Sequence, residues 1–234
     1  MGQVETGGLS KGELAYRELR RRIITGDLEP GSRLSQYQLA ADMGMSITPL
    51  REAIRRLASE GWVELDTHRD VKIAALDATE AHELLEVRLS LEPLATELAA
   101  QFRTTADIRA MTSAVDRILP VNRAWGDEGI SLHRDFHRAI YMASHNRVLI
   151  RLLDDLWDKA DRYRRLALEL PAGDNPRSTD FKQHQEILDL IIEGDSSAAR
   201  ELSRDHIRNS LGATIPDALG RSRRWTPPPL VSQT

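Results

Sequence analysis

Apolar residues recur at three- and four-residue intervals through most of the chain, and this spacing predicts helices. The first helix is predicted to begin at Ser10, a residue type that caps helices, and to end near Thr25, before Gly26. The apolar positions on one face of this helix are expected to be buried. These positions are Leu14, Leu19, Ile23 and Ile24.

The stretch 28–73 has the most distinctive pattern. A short helix is predicted over 36–43, and a second helix runs from Ser46 to about Ser59. Two short runs of β-forming residues follow between 62 and 73, joined by a polar tip. A helix, a turn, a second helix and a two-stranded wing form a shape that places one helix in the major groove of DNA.

The rest of the chain reads as helix after helix, and it begins at Asp77, a good N-cap that is followed three residues later by Glu80. The predicted helices are 77–102, 105–124, 127–143, 146–170, 178–193 and 196–213. We therefore predict a mainly α protein with an N-terminal winged helix-turn-helix at 10–76. An antiparallel bundle of about six helices follows at 77–213, and the tail at 214–234 is expected to be disordered.

Composition narrows the possible chemistry. Because the chain has no cysteine, a metal site would need His, Asp or Glu. The N-terminal segment is polar and no apolar run is long enough to span a bilayer, so we expect a cytoplasmic protein with no membrane partner. The net charge is −4, and residues 10–76 carry eleven Lys or Arg against ten Asp or Glu. Phosphate binding would therefore depend on a few well-placed arginines.

The candidate DNA contacts lie at the start of the second helix, in the short helix and the segment that precede it, and at the wing tip. They are Arg33, Tyr37, Ser46, Ile47, Thr48, Arg51, Arg55, His68 and Arg69. Arg51 can pair with guanine O6 and N7 or hold a phosphate, and one of Arg55 and Arg56 should face the DNA backbone. The alternatives are a helical hairpin with solvated arginines and a winged helix that contacts protein.

Four motifs at fixed spacing give this region a resemblance to the winged-helix domain of GntR-type transcription regulators. They are LxPGxxL at 28–34, LAxxxG at 39–44, SxTPxREAxxxL at 46–57 and EGW at 60–62. The resemblance implies a homodimer that binds a partly palindromic double-stranded DNA operator. It also implies repression that is released when a metabolite binds.

Three positions depart from the pattern of this family. Ile47 and Tyr37 stand where the family commonly has arginine, and Asp70 stands where its wing usually has glycine. Two lost cations and an added anion weaken phosphate attraction and alter base preference. We therefore expect an operator half-site that differs from the common one.

Histidines form the second candidate constellation. His133 and His137 share one helix face, and His184 and His206 lie on two later helices. Imidazoles from three helices can converge on a metal inside a bundle, and imidazole suits zinc, nickel, cobalt and copper. The alternative is that these histidines lie on the surface, or that each one is buried with a hydrogen-bond partner of its own and binds no metal.

The helical region resembles the FCD-type effector domain of the FadR branch of GntR regulators, through the segments 83–100, 135–149 and 184–195. This resemblance implies a metal held by one Asp and three His. The histidines correspond to His137, His184 and His206, while the position of the Asp is taken here by His133. An all-imidazole site favours zinc or nickel over manganese, and it keeps the full charge of its ion.

Arg88 is the candidate receptor for an effector, because the family commonly directs an arginine of this helix into its ligand pocket. A guanidinium beside a metal suits a small carboxylate. The alternative is a surface arginine paired with Glu92. The chain is thus expected to be a metabolite-responsive regulator and not an enzyme. The competing functions are a metal-dependent enzyme with a His-lined bundle and a pure metal sensor.

Overall fold

The structure is a computed structural model of the chain. It describes residues 9–65, 70–119, 121–122, 124–169 and 178–220. Contacts between Cα atoms divide the chain into two units between Leu76 and Asp77, where the sequence predicts a domain boundary. Each unit has an apolar core of its own.

In the described part of the first unit, three helices and three strands surround one core. The helices are α1 (Lys11–Thr25), α2 (Gln36–Asp42) and α3 (Ile47–Ser59). The strands are β1 (Arg33–Ser35), β2 (Val63–Leu65) and β3 (Asp70–Ile73). Both β1 and β2 pair antiparallel with β3, which gives the sheet order β1-β3-β2. The predicted wing is therefore present, and a short strand that precedes α2 extends it.

Local signals set the limits of α1 as predicted. The Ser10 side chain accepts a hydrogen bond from the backbone of Glu13, and Gly26 ends the helix with a φ of 80°. The predicted buried face was wrong at Leu14, which is 49% exposed. Ala15 and Tyr16 are buried on the face that packs on α3, together with Leu19 and Ile23, which are buried as predicted.

In the second unit, the described residues form a helical domain. Its helices are α4 (Ala78–Phe102), α5 (Thr105–Val115), α6 (Gly126–Ala143), α7 (Arg147–Glu169), α8 (Ser178–Glu193), α9 (Ser196–Arg208) and α10 (Ile215–Gly220). Helix α4 packs against α6, α7, α8 and α9 and so lies at the centre of the domain. None of the described helices combines the length and the apolar character that crossing a bilayer requires. The predicted fold class, mainly α with an N-terminal winged helix, is confirmed.

Two predicted segments differ from the structure. The helix predicted over 105–124 ends at Val115, and the one predicted over 196–213 ends at Arg208. A short 3-10 helix at Leu211–Thr214 and helix α10 then continue the chain, so the expectation of disorder from residue 214 is wrong up to residue 220. The physical reason is that Ile215 is fully buried and α10 packs on α4. Residues 221–234 lie outside the described residues.

Candidate nucleic-acid interface and candidate metal centre

Helix α3 turns one apolar face to the core of its unit and a polar face to solvent. Its buried side chains follow the spacing of an amphipathic helix; they are Leu50, Ala53, Ile54 and Leu57. At its amino-terminal end Ser46 and Thr48 are exposed, and the Ser46 side chain makes no capping hydrogen bond. The first turn of a recognition helix meets base edges and phosphates with such groups.

The adjacent arginines of α3 have different surroundings. Nη1 of Arg56 lies 2.9 Å from a carboxylate oxygen of Glu13, and its guanidinium carbon stands 3.6 Å from the centre of the Tyr16 ring. Arg56 is therefore held against α1. Arg55 is exposed to solvent. Of these two neighbours, Arg55 is the one whose position suits a DNA phosphate.

Arg51 is oriented by a neighbouring helix. It is half-buried, and its Nε donates a hydrogen bond of 3.3 Å to Oε1 of Gln36, the first residue of α2. Gln36 is itself buried, so its amide provides a fixed partner. This contact could not be predicted from local sequence patterns, because Arg51 and Gln36 lie on different helices.

The remaining predicted DNA contacts lie around these helices. Arg33 is exposed on β1, and Tyr37 on α2 is 52% exposed. Ile47 is half-buried and packs against the core, so the part of its side chain that stays exposed offers DNA an apolar contact and no charge. His68 and Arg69, at the predicted wing tip, lie outside the described residues.

Four histidines from three helices meet inside the helical domain. His133 and His137 lie one turn apart on α6, His184 lies on α8 and His206 lies on α9. All four are buried, and one nitrogen from each ring lies within 4.8 Å of the others. Nε2 of His184 is 3.2 Å from Nε2 of both His133 and His137. Asp135, the nearest acid in sequence, is exposed and does not join them.

These distances fit a metal site. Nitrogens bound tetrahedrally to zinc at about 2.0–2.1 Å are separated from one another by about 3.3 Å. Nδ1 of His206 lies 3.1 Å from Oε1 of Gln183, which fixes the proton on that nitrogen and leaves Nε2 for a metal. The residues present therefore fit a divalent ion held by four imidazoles.

Two of the histidines, His133 and His137, are also in the protonation state that a metal requires. Burial lowers the pKa of His133 and of His137 well below the usual value, and the neighbouring imidazoles lower it further. A neutral imidazole has a free electron pair on one nitrogen, whereas an imidazolium has none. His133 and His137 are therefore neutral around pH 7 and can each offer a nitrogen to a cation.

A buried polar network adjoins the histidines. Glu92 on α4 accepts hydrogen bonds from Nε of Arg88 at 2.6 Å, from Nε1 of Trp157 at 3.1 Å and from the Tyr141 hydroxyl at 2.7 Å. The Trp157 ring in turn lies 5.2 Å from the ring of His137, measured between centroids. The alternative prediction for Arg88 was a surface arginine paired with Glu92. The pairing with Glu92 is confirmed, but the surface position is wrong. Arg88 is 4% exposed because its helix faces the core at this turn.

Arg88 also reaches a surface pocket between α4 and α7. The other residues that line it are Ala81, Leu84, Leu85, Ala160 and Tyr163. Most of the lining residues are apolar, and Arg88 is the charged residue among them. Arg88 therefore connects this pocket with Glu92 and the histidine cluster.

The sequence reasoning missed Arg164, which lies 3.8 Å from the Trp157 ring, measured from its guanidinium carbon to the ring centre. Arg164 is 2% exposed. A signal for it exists in the sequence, since Leu153, Trp157, Ala160 and Arg164 follow one another at the spacing of a buried helix face. A charged residue at a core position of this kind is a candidate functional residue.

Comparison with known families assigns a family model to each of the two units. The model for bacterial regulatory proteins of the gntR family matches residues 11–73, and the FCD domain model matches residues 83–209. The chain belongs to the GntR family. It is a DNA-binding transcription regulator with an FCD domain, and the family assignment excludes the alternative of a metal-dependent enzyme.

Several known proteins are similar to this GntR regulator over most of its length. A transcriptional regulator of the helix-turn-helix type in an unstable DNA locus of Streptomyces ambofaciens is 31% identical over 87% of this chain and 85% of its own length. The transcriptional repressor GlaR of Escherichia coli is 26% identical over 82% of this chain and 90% of its own length. The solved structure of Escherichia coli McbR/YncC has the same fold, with a TM-score of 0.74 and 24% identity over 90% of this chain and 99% of that one.

Proposed function

We propose that this GntR regulator is a metabolite-responsive repressor whose helical domain binds a divalent metal ion and a small organic acid. The observation that carries the proposal is the cluster of four buried histidines, one nitrogen of each within 4.8 Å of the others. Imidazoles that converge from three helices inside a bundle form the kind of donor set that holds a divalent metal ion. Repression is supported by GlaR, a relative that is named as a repressor.

On the DNA side, the proposal uses the exposed end of α3. Ser46 and Thr48 would contact phosphates or base edges, and Arg51, held by Gln36, would read a base. Arg55 would bind the backbone from the next turn. The remaining proposed contacts are Arg33, Tyr37, Ile47, His68 and Arg69. Because a winged helix reads a short half-site, we propose that a homodimer binds an inverted repeat.

On the metal side, His133, His137, His184 and His206 are the proposed ligands. Because all four are imidazoles, we propose zinc or nickel as the ion and expect manganese to bind weakly. Replacing His133 with Asp would restore the acid that the family commonly has at this position. The variant H133D should therefore gain affinity for manganese, and an unchanged order of metal affinities would contradict this account of the site.

The proposed effector is a small carboxylate. A divalent ion held by four neutral imidazoles keeps its two positive charges, so an anion is its natural partner in a buried site. Arg88 supports the proposal, because this residue lines the pocket between α4 and α7 and its Nε donates a hydrogen bond to Glu92 beside the cluster. Binding of the acid would alter DNA affinity only if the acid binds the DNA-bound and free states unequally.

The test begins with genome-wide mapping of DNA fragments that the purified, zinc-loaded protein retains. We expect a few sites that share an inverted repeat, and diffuse retention would overturn specific repression. Affinity for one such site is then measured by fluorescence anisotropy with and without metal, and with small carboxylates added to the metal-loaded protein. Release that needs the acid supports the proposal, whereas release that follows metal concentration alone would make the protein a metal sensor.

Two histidine variants separate the metal site from general effects on folding. His206→Ala removes one ligand of the cluster and should abolish stoichiometric metal binding, measured by elemental analysis after dialysis. His145→Ala is the matched control, because His145 is exposed and pairs with Asp107 away from the cluster. Equal metal content in the two variants would overturn the proposed site.

A further inference from the structure

The first turn of α3 places an apolar side chain between two polar ones. Ile47, the first residue of the helix, is half-buried, whereas its neighbours Ser46 and Thr48 are exposed. Ile47 packs against the core of the first unit, and this packing holds its side chain in place. The part of the side chain that stays exposed is therefore an apolar surface whose position is set before DNA binds.

Ile47 lies at the edge of the stripe that fills the core. The buried side chains of α3 are Leu50, Ala53, Ile54 and Leu57. Ile47 and Arg51 are four residues apart, so they lie one above the other on the same side of the helix. Both are half-buried. They therefore form one flank of α3, between its buried face and its exposed face.

The contact of Arg51 shows what this flank faces. Nε of Arg51 donates to Oε1 of Gln36 at 3.3 Å, and Gln36 is the first residue of α2. Because Gln36 is neutral, this bond orients the guanidinium without reducing its charge. Since Nε is engaged, the two Nη nitrogens are the donors that remain for O6 and N7 of a guanine. The guanine contact proposed for Arg51 thus gives a reference point on the same flank as Ile47.

The chemistry of the major groove limits what Ile47 can recognise. Base pairs present hydrogen-bond donors and acceptors there, and thymine adds an apolar group, its 5-methyl. An isoleucine side chain has no donor and no acceptor. Against a polar base edge it leaves that edge without a partner, whereas against a methyl group it buries apolar surface. Thymine is therefore the base that an apolar side chain at this position favours.

We propose that Ile47 determines specificity by contacting the 5-methyl group of a thymine in each operator half-site. This role rests on the proposed operator binding and deepens it, since it names a base that the half-site contains. Ile47 and Arg51 are separated by about 6 Å along the helix axis, and adjacent base pairs are about 3.4 Å apart. The thymine therefore lies within about two base pairs of the guanine that Arg51 contacts.

The test removes the methyl group from the DNA. A duplex is selected from a random DNA pool by the purified full chain, and each thymine is then replaced in turn by deoxyuridine, which lacks the methyl group and keeps the hydrogen-bonding groups. Kd is measured by fluorescence anisotropy. We expect one replacement in each half-site to raise Kd about fourfold, and the two together to raise it about fifteenfold.

Variants of α3 assign the methyl contact to one residue. In Ile47→Ala the sensitive replacement should leave Kd unchanged, because the contact is already absent. Thr48→Ser is the matched control, since it removes a methyl group from the exposed neighbour and should keep the full effect of deoxyuridine. If Ile47→Ala fails to fold, judged by circular dichroism, Ile47→Val replaces it, and a reduced effect is expected.

The guanine is located by the same approach. Each guanine of the selected duplex is replaced by 7-deazaguanine, which lacks the N7 acceptor. The replacement that weakens binding to the wild type but not to Arg51→Ala marks the base that Arg51 contacts. We expect the thymine that is sensitive to deoxyuridine within about two base pairs of this guanine.

The outcomes are separable. A deoxyuridine effect that persists in full in Ile47→Ala or Ile47→Val, or that vanishes in Thr48→Ser, overturns the role of Ile47 and leaves operator binding standing. An enriched duplex in which no thymine is sensitive has the same meaning. A pool that yields no enriched sequence overturns specific operator binding, and the role of Ile47 with it.

Discussion

The buried carboxylate of Glu92 neutralises a buried cation, and removing its charge tests whether the network stabilises the helical domain. Glu92 is 1% exposed and accepts three hydrogen bonds, from Arg88, Trp157 and Tyr141. Glu92→Gln preserves the shape of the side chain but leaves the Arg88 guanidinium buried without its counter-ion. Because an uncompensated buried charge is expensive, we expect the free energy of unfolding to fall by about 3–5 kcal/mol.

The loss is large enough to measure by thermal unfolding. For a chain of this size each kcal/mol lowers Tm by about 2–4 °C, so Glu92→Gln should lower it by about 6–20 °C. Circular dichroism of the helical signal gives the measurement. Glu97→Gln is the matched control on the same helix, because Glu97 pairs with Arg200 and these side chains are 24% and 37% exposed. An exposed pair contributes about 1 kcal/mol or less.

A double substitution identifies the cause of the loss. Adding Arg88→Met to Glu92→Gln removes the uncompensated cation, so part of the lost stability should return, although Arg88→Met alone is destabilising. This non-additivity is expected because the two groups are in contact. The reasoning would be refuted if Glu92→Gln cost no more than its control, or if the second substitution added its full loss with no recovery.

Other predictions concern the DNA-binding unit. Arg55→Ala should weaken binding to all DNA sequences alike and lower the salt slope of log K by about 1, measured by fluorescence anisotropy, whereas Arg56→Ala should leave the slope unchanged. Ile47→Arg should move the preferred half-site towards guanine, and selection from a random DNA pool that returned the wild-type half-site would contradict this. Leu57→Ala should cost about 2–5 kcal/mol in urea unfolding, and a loss below 1 kcal/mol would mean that the core of this unit is loosely packed.

The elements of the DNA-binding unit could be predicted because local chemistry specifies them. Ser10 caps α1, and the left-handed backbone conformation that ends α1 is one that favours glycine, here Gly26. The apolar stripe of α3 matches the buried face of that helix. The third strand, Arg33–Ser35, was missed since three residues without alternation carry no signal of their own. Its pairing with β3 is a tertiary contact that local sequence does not specify.

The candidate metal site could be predicted only in part. The spacing of His133 and His137 placed them on one face, but the approach of His184 and His206 required a family resemblance. Arg88 and Glu92 are four residues apart, and this spacing predicts an ion pair on one helix face without indicating whether that face is exposed or buried. Burial depends on which helices pack around α4, and periodicity does not provide that information.

The distribution of buried polar groups argues that the helical domain is built around a ligand. Replacing buried ion pairs with apolar residues of similar volume is often neutral or stabilising by about 1–4 kcal/mol, so stability alone does not account for Arg88, Glu92, Asp161 and Arg164 in the core. In the DNA-binding unit Gln36 is the polar side chain buried among the described residues. In the second unit Arg88 and Arg164 lie against Trp157, whose ring neighbours the rings of His133 and His137. Charges that are costly in an apolar core become favourable beside a bound ion of opposite charge or a polar ligand, and the proposed metal and organic acid would supply both.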